Sequence, residues 1–260
     1  MEQRVITGLR GRVVRTTVVT LAGAMLVSGC GGDSAGTGTP AASSTAVAVA
    51  GTSGAGSADP FSAGSAQRAV SLHGALVVRK EARTSSAVVR LPAATRLGSP
   101  RVLLVQGVVP GWVQVLLPTR PNGSTGWVDA ADVRLETVHD LIKVDLGTRG
   151  MTLVVGNRIL TRTKVAIGSP DDPTPTGRFF VTDRVRPPDP NGTYGAFALG
   201  LSAHSATLSE FGSGDGQIGI HGTNEPTSIG RAASHGCIRV PADVAPMLAR
   251  IPLGTPVVIT

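Results

Sequence analysis

From about residue 68 onward the apolar residues of this chain come in short runs broken by Gly, Pro and Asn. That rhythm belongs to strands and turns rather than to helices. Ala87–Leu91, Arg101–Gln106 and Trp112–Leu117 are β-rich runs, and turn signals at Gly98-Ser99-Pro100, Pro110-Gly111 and Pro121-Asn122-Gly123 punctuate them. Further along, Leu141–Leu146, Met151–Val155 and Arg158–Ile167 read as successive strands, with turns over 147–150 and at Gly156-Asn157. Phe179–Val181, Ala196–Leu199, Gln217–Ile220 and Val257–Thr260 supply more. One helix is expected after Cys237, with Asp243 as its N-cap and Pro246 in its first turn, where a missing N–H leaves nothing unpaired. Many strands and one helix predict an all-β fold of packed sheets.

The beginning of the chain follows a different pattern. Arg4, Arg10, Arg12 and Arg15 precede an apolar stretch, Thr16 to Val27, that is short for a membrane span. Residues 1–29 read as an export signal, and Leu26-Val27-Ser28-Gly29-Cys30 resembles the lipobox of bacterial lipoproteins, which implies lipidation at Cys30. From Gly31 to about Gln67 the chain is almost entirely Gly, Ala, Ser, Thr and Pro, a composition with too little apolar surface to order itself. As a flexible coil, such a tether of about 35 residues spans roughly 30–35 Å. The expected organisation is a signal over 1–29, a lipid-anchored linker over 30–67, a small β module over 68–137 and a second domain over 138–260. The expected location is the outer face of the cytoplasmic membrane, facing the cell wall.

Charge changes this picture little. The formal net charge is +7, but the first 29 residues carry four arginines and one glutamate, so the remainder is only mildly basic. No basic stripe interleaved with aromatics is present, which argues against nucleic acid as a partner. In the module, Gly111-Trp112-Val113 recurs as Gly126-Trp127-Val128, and with Leu76-Val77-Val78-Arg79 it resembles bacterial SH3-like barrels. The tryptophans could line a ligand groove, but at least one is expected in the core.

Chemistry concentrates in Ile218-Gly219-Ile220-His221-Gly222-Thr223 and Ser234-His235-Gly236-Cys237-Ile238-Arg239-Val240. Cys237 is the single cysteine outside the N-terminal segment. A thiol is only a few per cent thiolate at neutral pH and needs a base to attack a carbonyl. An imidazole supplies that base and later returns the proton to a leaving amine. His221, at the end of a buried strand, is the expected partner, with the Gly222 carbonyl accepting from its Nδ1 and Nε2 free for the sulfur. Gly236 permits a tight turn that would gather the N–H groups of His235, Gly236 and Cys237 into an oxyanion hole. Two other readings stand beside this one. A lone cysteine is often a small buried hydrophobe, and Cys237, His221 and His235 would make three ligands of a zinc site with no evident fourth. No metal or other cofactor is expected.

These residues resemble the signature of the L,D-transpeptidases, the YkuD-type catalytic domain of bacterial wall synthesis. Thr174-Pro175-Thr176-Gly177-Arg178-Phe179 resembles the family's Thr-Pro-x-Gly-x-Phe segment, and the likeness covers about residues 138–260. Some members carry Asn where this chain has Arg239. The resemblance implies an SH3-like barrel followed by a YkuD-type β-sandwich. It also implies acyl transfer on a peptidoglycan tetrapeptide stem: Cys237 attacks the carbonyl of the third residue, a diamino acid, and D-Ala leaves. The thioester then passes to an amine of another stem as a 3→3 cross-link. Carbapenem β-lactams would be inhibitors. Ser234 and His235 would order the turn, with His235 as a second base the alternative. Arg239, Tyr194, Ser202 and Thr223 are candidate substrate contacts, His204 could flank the cleft, and His73 and His139 are expected on the surface. Two alternatives in other classes remain: an L,D-carboxypeptidase that releases the same thioester to water, and a non-catalytic wall-binding lipoprotein.

Overall fold

The computed structural model describes residues 65–211 and 214–260. The export signal, Cys30 and the linker up to residue 64 lie outside these residues. Two large sheets and a two-stranded one lie within one compact unit.

The first sheet is antiparallel throughout and contains β1 (Ala66–Ser71), β2 (Leu76–Arg79), β3 (Val88–Leu91), β4 (Val102–Val109), β5 (Trp112–Leu116), β6 (Thr125–Asp129) and β7 (Val133–Val138). Their spatial order is β3-β2-β6-β5-β4-β1-β7. Ala66 and Gln67, expected in the linker, pair with β7 from Ala66 against Val138. Alternation along β5 and β6 turns Val113, Val115 and Val128 into the core. The same alternation turns both tryptophans outward, which corrects the expectation that one of them is core. They are half-buried on the opposite face, where the Arg79 guanidinium lies 5.8 Å from the Trp112 ring centroid. Branched aliphatics fill the interior in their place.

The second sheet has eight strands. β8 (Leu141–Asp145), β9 (Gly150–Val155) and β10 (Arg158–Lys164) form a meander. β11 (Ile167–Gly168) leaves it to pair in parallel with β15 (Ala232–Ser234). β12 (Gly177–Val185), β13 (Ala198–His204), β14 (Gln217–His221), β16 (Ile238–Arg239) and β17 (Pro256–Ile259) complete the order β10-β9-β8-β17-β12-β13-β14-β16. β12 belongs to both halves: Gly177–Phe180 pairs with β17, and from Val181 onward it pairs with β13. At the handover the Phe180 N–H donates to Ser202 Oγ at 3.1 Å. In place of two separate packed sheets, one sheet therefore curls around its core. Ile142 and Leu153 from one half meet Leu199, Leu201 and Ile220 from the other, all at most 1% exposed. Each such side chain contributes about 1.5–3 kcal/mol by leaving water.

The expected helix is a 3-10 helix, Ala245–Arg250, whose N-cap position is Val244 and carries no side-chain cap, not Asp243. Pro246 sits in its first turn, where no N–H is required, and the turns close over three residues, Met247 N–H on Val244 O (2.8 Å) and Ile251 N–H on Leu248 O (3.1 Å).

The two sheets touch through specific groups. Asn122 pairs with the backbone of His204, donating to its carbonyl at 2.8 Å and accepting its N–H at 2.9 Å. Arg120 donates to the carbonyls of Asp215, Ser205 and Leu208. Arg68 donates to Leu253 O, and Phe180 from β12 lies fully buried in the core of the first sheet.

Candidate active site

β14 and β16 run parallel, with Ile220 beside Ile238 and His221 beside Arg239. Extending this register by one residue places Cys237 beside Gly219, and the Gly219 N–H donates to Cys237 Sγ at 3.4 Å. Residues two apart on a strand share a face, so the thiol and the His221 imidazole stand on the same side of the sheet. Nothing rises from Gly219 between them. A Cβ built there would stand 3.9 Å from His221 Cδ2, so this edge of the ring leans over the glycine. The other edge is anchored, with His221 Nδ1 2.6 Å from Gly222 O. A carbonyl can only accept, so Nδ1 holds the ring proton and Nε2, next to Cδ2, is the lone-pair nitrogen.

Charge is disfavoured at both groups. Burial pushes the His221 ring down to about 4, helped by the nearby Arg239 charge and opposed by the bond to Gly222 O. Burial pushes the Cys237 thiol up, against the pull of the Gly219 N–H and Arg239. The resting pair is thus a neutral thiol beside a neutral imidazole.

The turn before Cys237 is held from inside. Ser234, 3% exposed, donates to Cys237 O at 2.5 Å and accepts the Gly236 N–H at 3.2 Å. Gly236 therefore does not direct its N–H into a shared hollow with its neighbours, which corrects that expectation. Gly222 is likewise no anion donor, because its N–H faces Phe197 O and its carbonyl holds the imidazole. Gly236 has φ 106°, and a Cβ there would stand 2.9 Å from Ile218 Cδ1. Thr174, from the Thr-Pro-x-Gly segment, is buried behind the turn. Its hydroxyl donates to Gly236 O and accepts the Gly168 N–H, both at 2.8 Å. The motif was legible in the sequence; this clamping geometry was not.

The cleft over the thiol is lined by Tyr194, Phe211, Gln217, His221, His235 and Arg239, among others. Tyr194 meets His221 edge-on, with ring centroids 4.8 Å apart. Its loop can lie this close because Gly195 and Gly222 pass back to back: a Cβ on Gly195 would stand 2.6 Å from Gly222 Cα. His235 is exposed and packs against Phe211 at 5.3 Å. Arg239 lines the cleft and pairs with the exposed Glu225 at 2.6 Å. Other candidates fall elsewhere. Ser202 is buried at the β12 handover, and Thr223 accepts the Glu225 N–H in a local turn. His204 does not flank this cleft. It is buried where the sheets meet, with Nε2 3.3 Å from Asp215 and no partner for Nδ1. His73 and His139 are exposed. Among the described residues no group of three or more His, Cys, Asp or Glu could hold a metal ion. Phe211, Thr193 and Leu208 also line the cleft; they come from irregular loops, where periodicity carries no signal.

The model of the L,D-transpeptidase catalytic domain family YkuD matches residues 139–259. The YkuD protein of Bacillus subtilis is 39% identical over 124 residues, covering 47% of this chain and 67% of that protein. Its counterpart in Bacillus licheniformis is 34% identical over 155 residues, covering 56% of this chain and 86% of that protein. The YqjB protein of B. subtilis is 35% identical over 129 residues, covering 45% of this chain and 69% of that protein. The chain belongs to the YkuD family and is a cysteine-dependent L,D-transpeptidase.

Proposed function

We propose that Cys237 is the nucleophile and His221 its base in a peptidoglycan L,D-transpeptidase that forms 3→3 cross-links. The observation that carries this reading is the 2.6 Å bond from His221 Nδ1 to Gly222 O, which leaves Nε2 as the acceptor on the thiol's side of the sheet. Because both groups are neutral at rest, the thiol proton moves to Nε2 as sulfur attacks the carbonyl of the third stem residue. The C–S bond forms, the C–N bond breaks, and the imidazolium returns its proton to the departing amine of D-Ala. An acceptor amine, arriving neutral, then attacks the thioester and gives up its proton through His221 to the sulfur. The oxyanion of each tetrahedral intermediate is met by the N–H groups of His235 and Cys237, since that of Gly236 is taken by Ser234. Tyr194 and Arg239 contact the substrate.

Around this chemistry we place a lipid at Cys30, a tether up to the first sheet, an SH3-like module in that sheet and a second domain beginning near residue 138. The enzyme works outside the membrane on the wall. A carbapenem, as a strained cyclic amide, would acylate Cys237 by the same route. The test is incubation with a purified tetrapeptide muropeptide, comparing wild type with Cys237→Ala by mass spectrometry. Cross-linked dimer and free D-Ala from the wild type alone are expected. Shortened monomer without dimer would make the enzyme a carboxypeptidase, and an active Cys237→Ala variant would overturn the assignment.

A further inference from the structure

One wall of the cleft does not come from the sheet that carries the thiol. The loop between β3 and β4 reaches across from the first sheet, and Arg96 and Leu97 at its tip line the same space as Tyr194, Phe211, His221 and Cys237. This loop is tightly knit. Thr95 N–H donates to Ser99 O at 2.8 Å, Gly98 N–H to Thr95 O at 3.1 Å, and Ser99 N–H to Thr95 Oγ1 at 3.1 Å. At its base the buried Arg101 guanidinium donates to Pro92 O and Ala94 O, each at 3.0 Å. The Thr95 hydroxyl also donates to the carboxylate of Asp183 on β12, which is 1% exposed. The tip is therefore fixed to the catalytic sheet one residue before Arg96.

Its two side chains differ in kind. Leu97 is 48% exposed, as is Phe211, so two large apolar groups stay open to solvent along one cleft. Arg96 brings positive charge that acts on Asp215, whose carboxyl is raised by burial but held below its ordinary value by His204 and Arg96. Its guanidinium lies over Gly214, where an added Cβ would stand 3.0 Å from Nη2. At this spot glycine leaves the planar cation room beside the cleft.

We infer that Arg96 and Leu97 form a substrate subsite supplied by the N-terminal sheet, in which Arg96 pairs with a free carboxylate of the stem peptide and Leu97 covers its aliphatic part. This rests on the stem-peptide reading above. A carboxylate is the ligand that a guanidinium fork recognises best, and an apolar neighbour strengthens the pair by excluding water. A stem peptide offers a carboxylate at its terminal D-Ala and others along its length, and the two sources are separable by amidation.

The experiment uses the full chain as wild type, Arg96→Ala, Arg96→Lys and Leu97→Ala. Release of the leaving amine, D-Ala or, from a terminally amidated donor, D-alaninamide, is measured by mass spectrometry in the presence of an acceptor stem, with donor peptides that are unmodified, amidated at the terminus or amidated at internal carboxylates. Arg96→Ala should lower kcat/KM about tenfold on the unmodified donor and have no effect on one of the two amidated donors, which identifies the carboxylate. Arg96→Lys should fall between, and Leu97→Ala should raise KM for every donor. Alkylation of Cys237 by iodoacetamide should proceed at the wild-type rate in all variants. The dissociation constants of the same peptides, measured in the Cys237→Ala background, read the subsite without chemistry. Absence of turnover in the wild type would thus count against the catalytic reading while these constants still judge the subsite. Equal losses on acid and amide donors would make Arg96 a structural counter-charge to Asp215 and overturn the inference, as would no loss on any donor.

Discussion

Replacing Thr174 by Val keeps the shape of the side chain and deletes one oxygen. That oxygen holds two buried backbone groups, Gly168 N–H and Gly236 C=O, each at 2.8 Å. Valine leaves a donor and an acceptor unpaired at about 1–3 kcal/mol each, so a loss of roughly 2–6 kcal/mol in unfolding free energy is expected. Gly168 cannot swing away to find another partner, because its Cα faces the Asp172 carbonyl so closely that a Cβ there would stand 2.2 Å from that oxygen. The second effect is on chemistry. A trans peptide is planar with its C=O and N–H opposed, so fixing the Gly236 carbonyl on Thr174 aims the Cys237 N–H the opposite way. If that N–H meets the oxyanion, loosening it weakens a contact worth about 3 kcal/mol, and the rate of acylation by a carbapenem should fall by up to roughly 100-fold. Alkylation by iodoacetamide develops no oxyanion and should change far less. Thr174→Ser should restore both stability and acylation. The reasoning is refuted if Thr174→Val unfolds at the wild-type denaturant midpoint, or if alkylation and acylation fall by the same factor.

Acid should destabilise the fold through His221. Its ring binds a proton near pH 6.5 when unfolded and only near 4 when folded, so this contribution is complete above 6.5 and is lost as pH falls towards 4, by up to about 3 kcal/mol. Denaturant melts between pH 7 and 4 should show the slope in the wild type and lose it in His221→Gln. Cys237, with its thiol pushed above the ordinary range, should alkylate slowly at pH 7 and speed up continuously to pH 9 with no plateau; a plateau below pH 7 would mean a preformed thiolate. Gly236→Ala forces a Cβ onto Ile218 Cδ1 at a φ of 106°. It should cost about 1–3 kcal/mol and most of the activity, read by thermal melting and D-Ala release. Asn122→Ala removes the pair of bonds to His204 and should lower the unfolding free energy by about 1–2 kcal/mol, read from a single urea transition. Two resolved transitions would instead show that the sheets unfold independently.

Most strands were legible because their valines and leucines lie between Gly and Pro turns. β1 was not: Ala66-Gln67-Arg68-Ala69-Val70-Ser71 has no apolar run, and its place is set by pairing with β4 and β7 far along the chain. The tryptophans misled because aromatic bulk suggests core, whereas alternation on β5 and β6 gave the inner face to Val113, Val115 and Val128. The Asp243 cap failed because the helix starts one residue later, with Val244 at the N-cap position, and closes by three-residue turns rather than α-helical ones. At the site, His221 and Cys237 were legible because adjacent strands bring two nearby segments together. Arg96, Leu97 and Phe211 were not, since only tertiary closure of distant loops carries them to the cleft.

Phe180 gives the curled sheet a consequence for anyone who would cut the protein in two. Its ring is fully buried, but the cluster around it is made by Leu103, Leu104 and their neighbours in the first sheet rather than by its own sheet. A fragment starting near residue 138 would keep the thiol and the imidazole yet carry a bare phenyl group on its flank, forfeiting about 1.5–3 kcal/mol and presenting an adhesive spot to other copies. The strand that bears this ring also bears Asp183, on which the cleft-wall loop is fastened, so amputation would strip the catalyst of a wall as well as a neighbour.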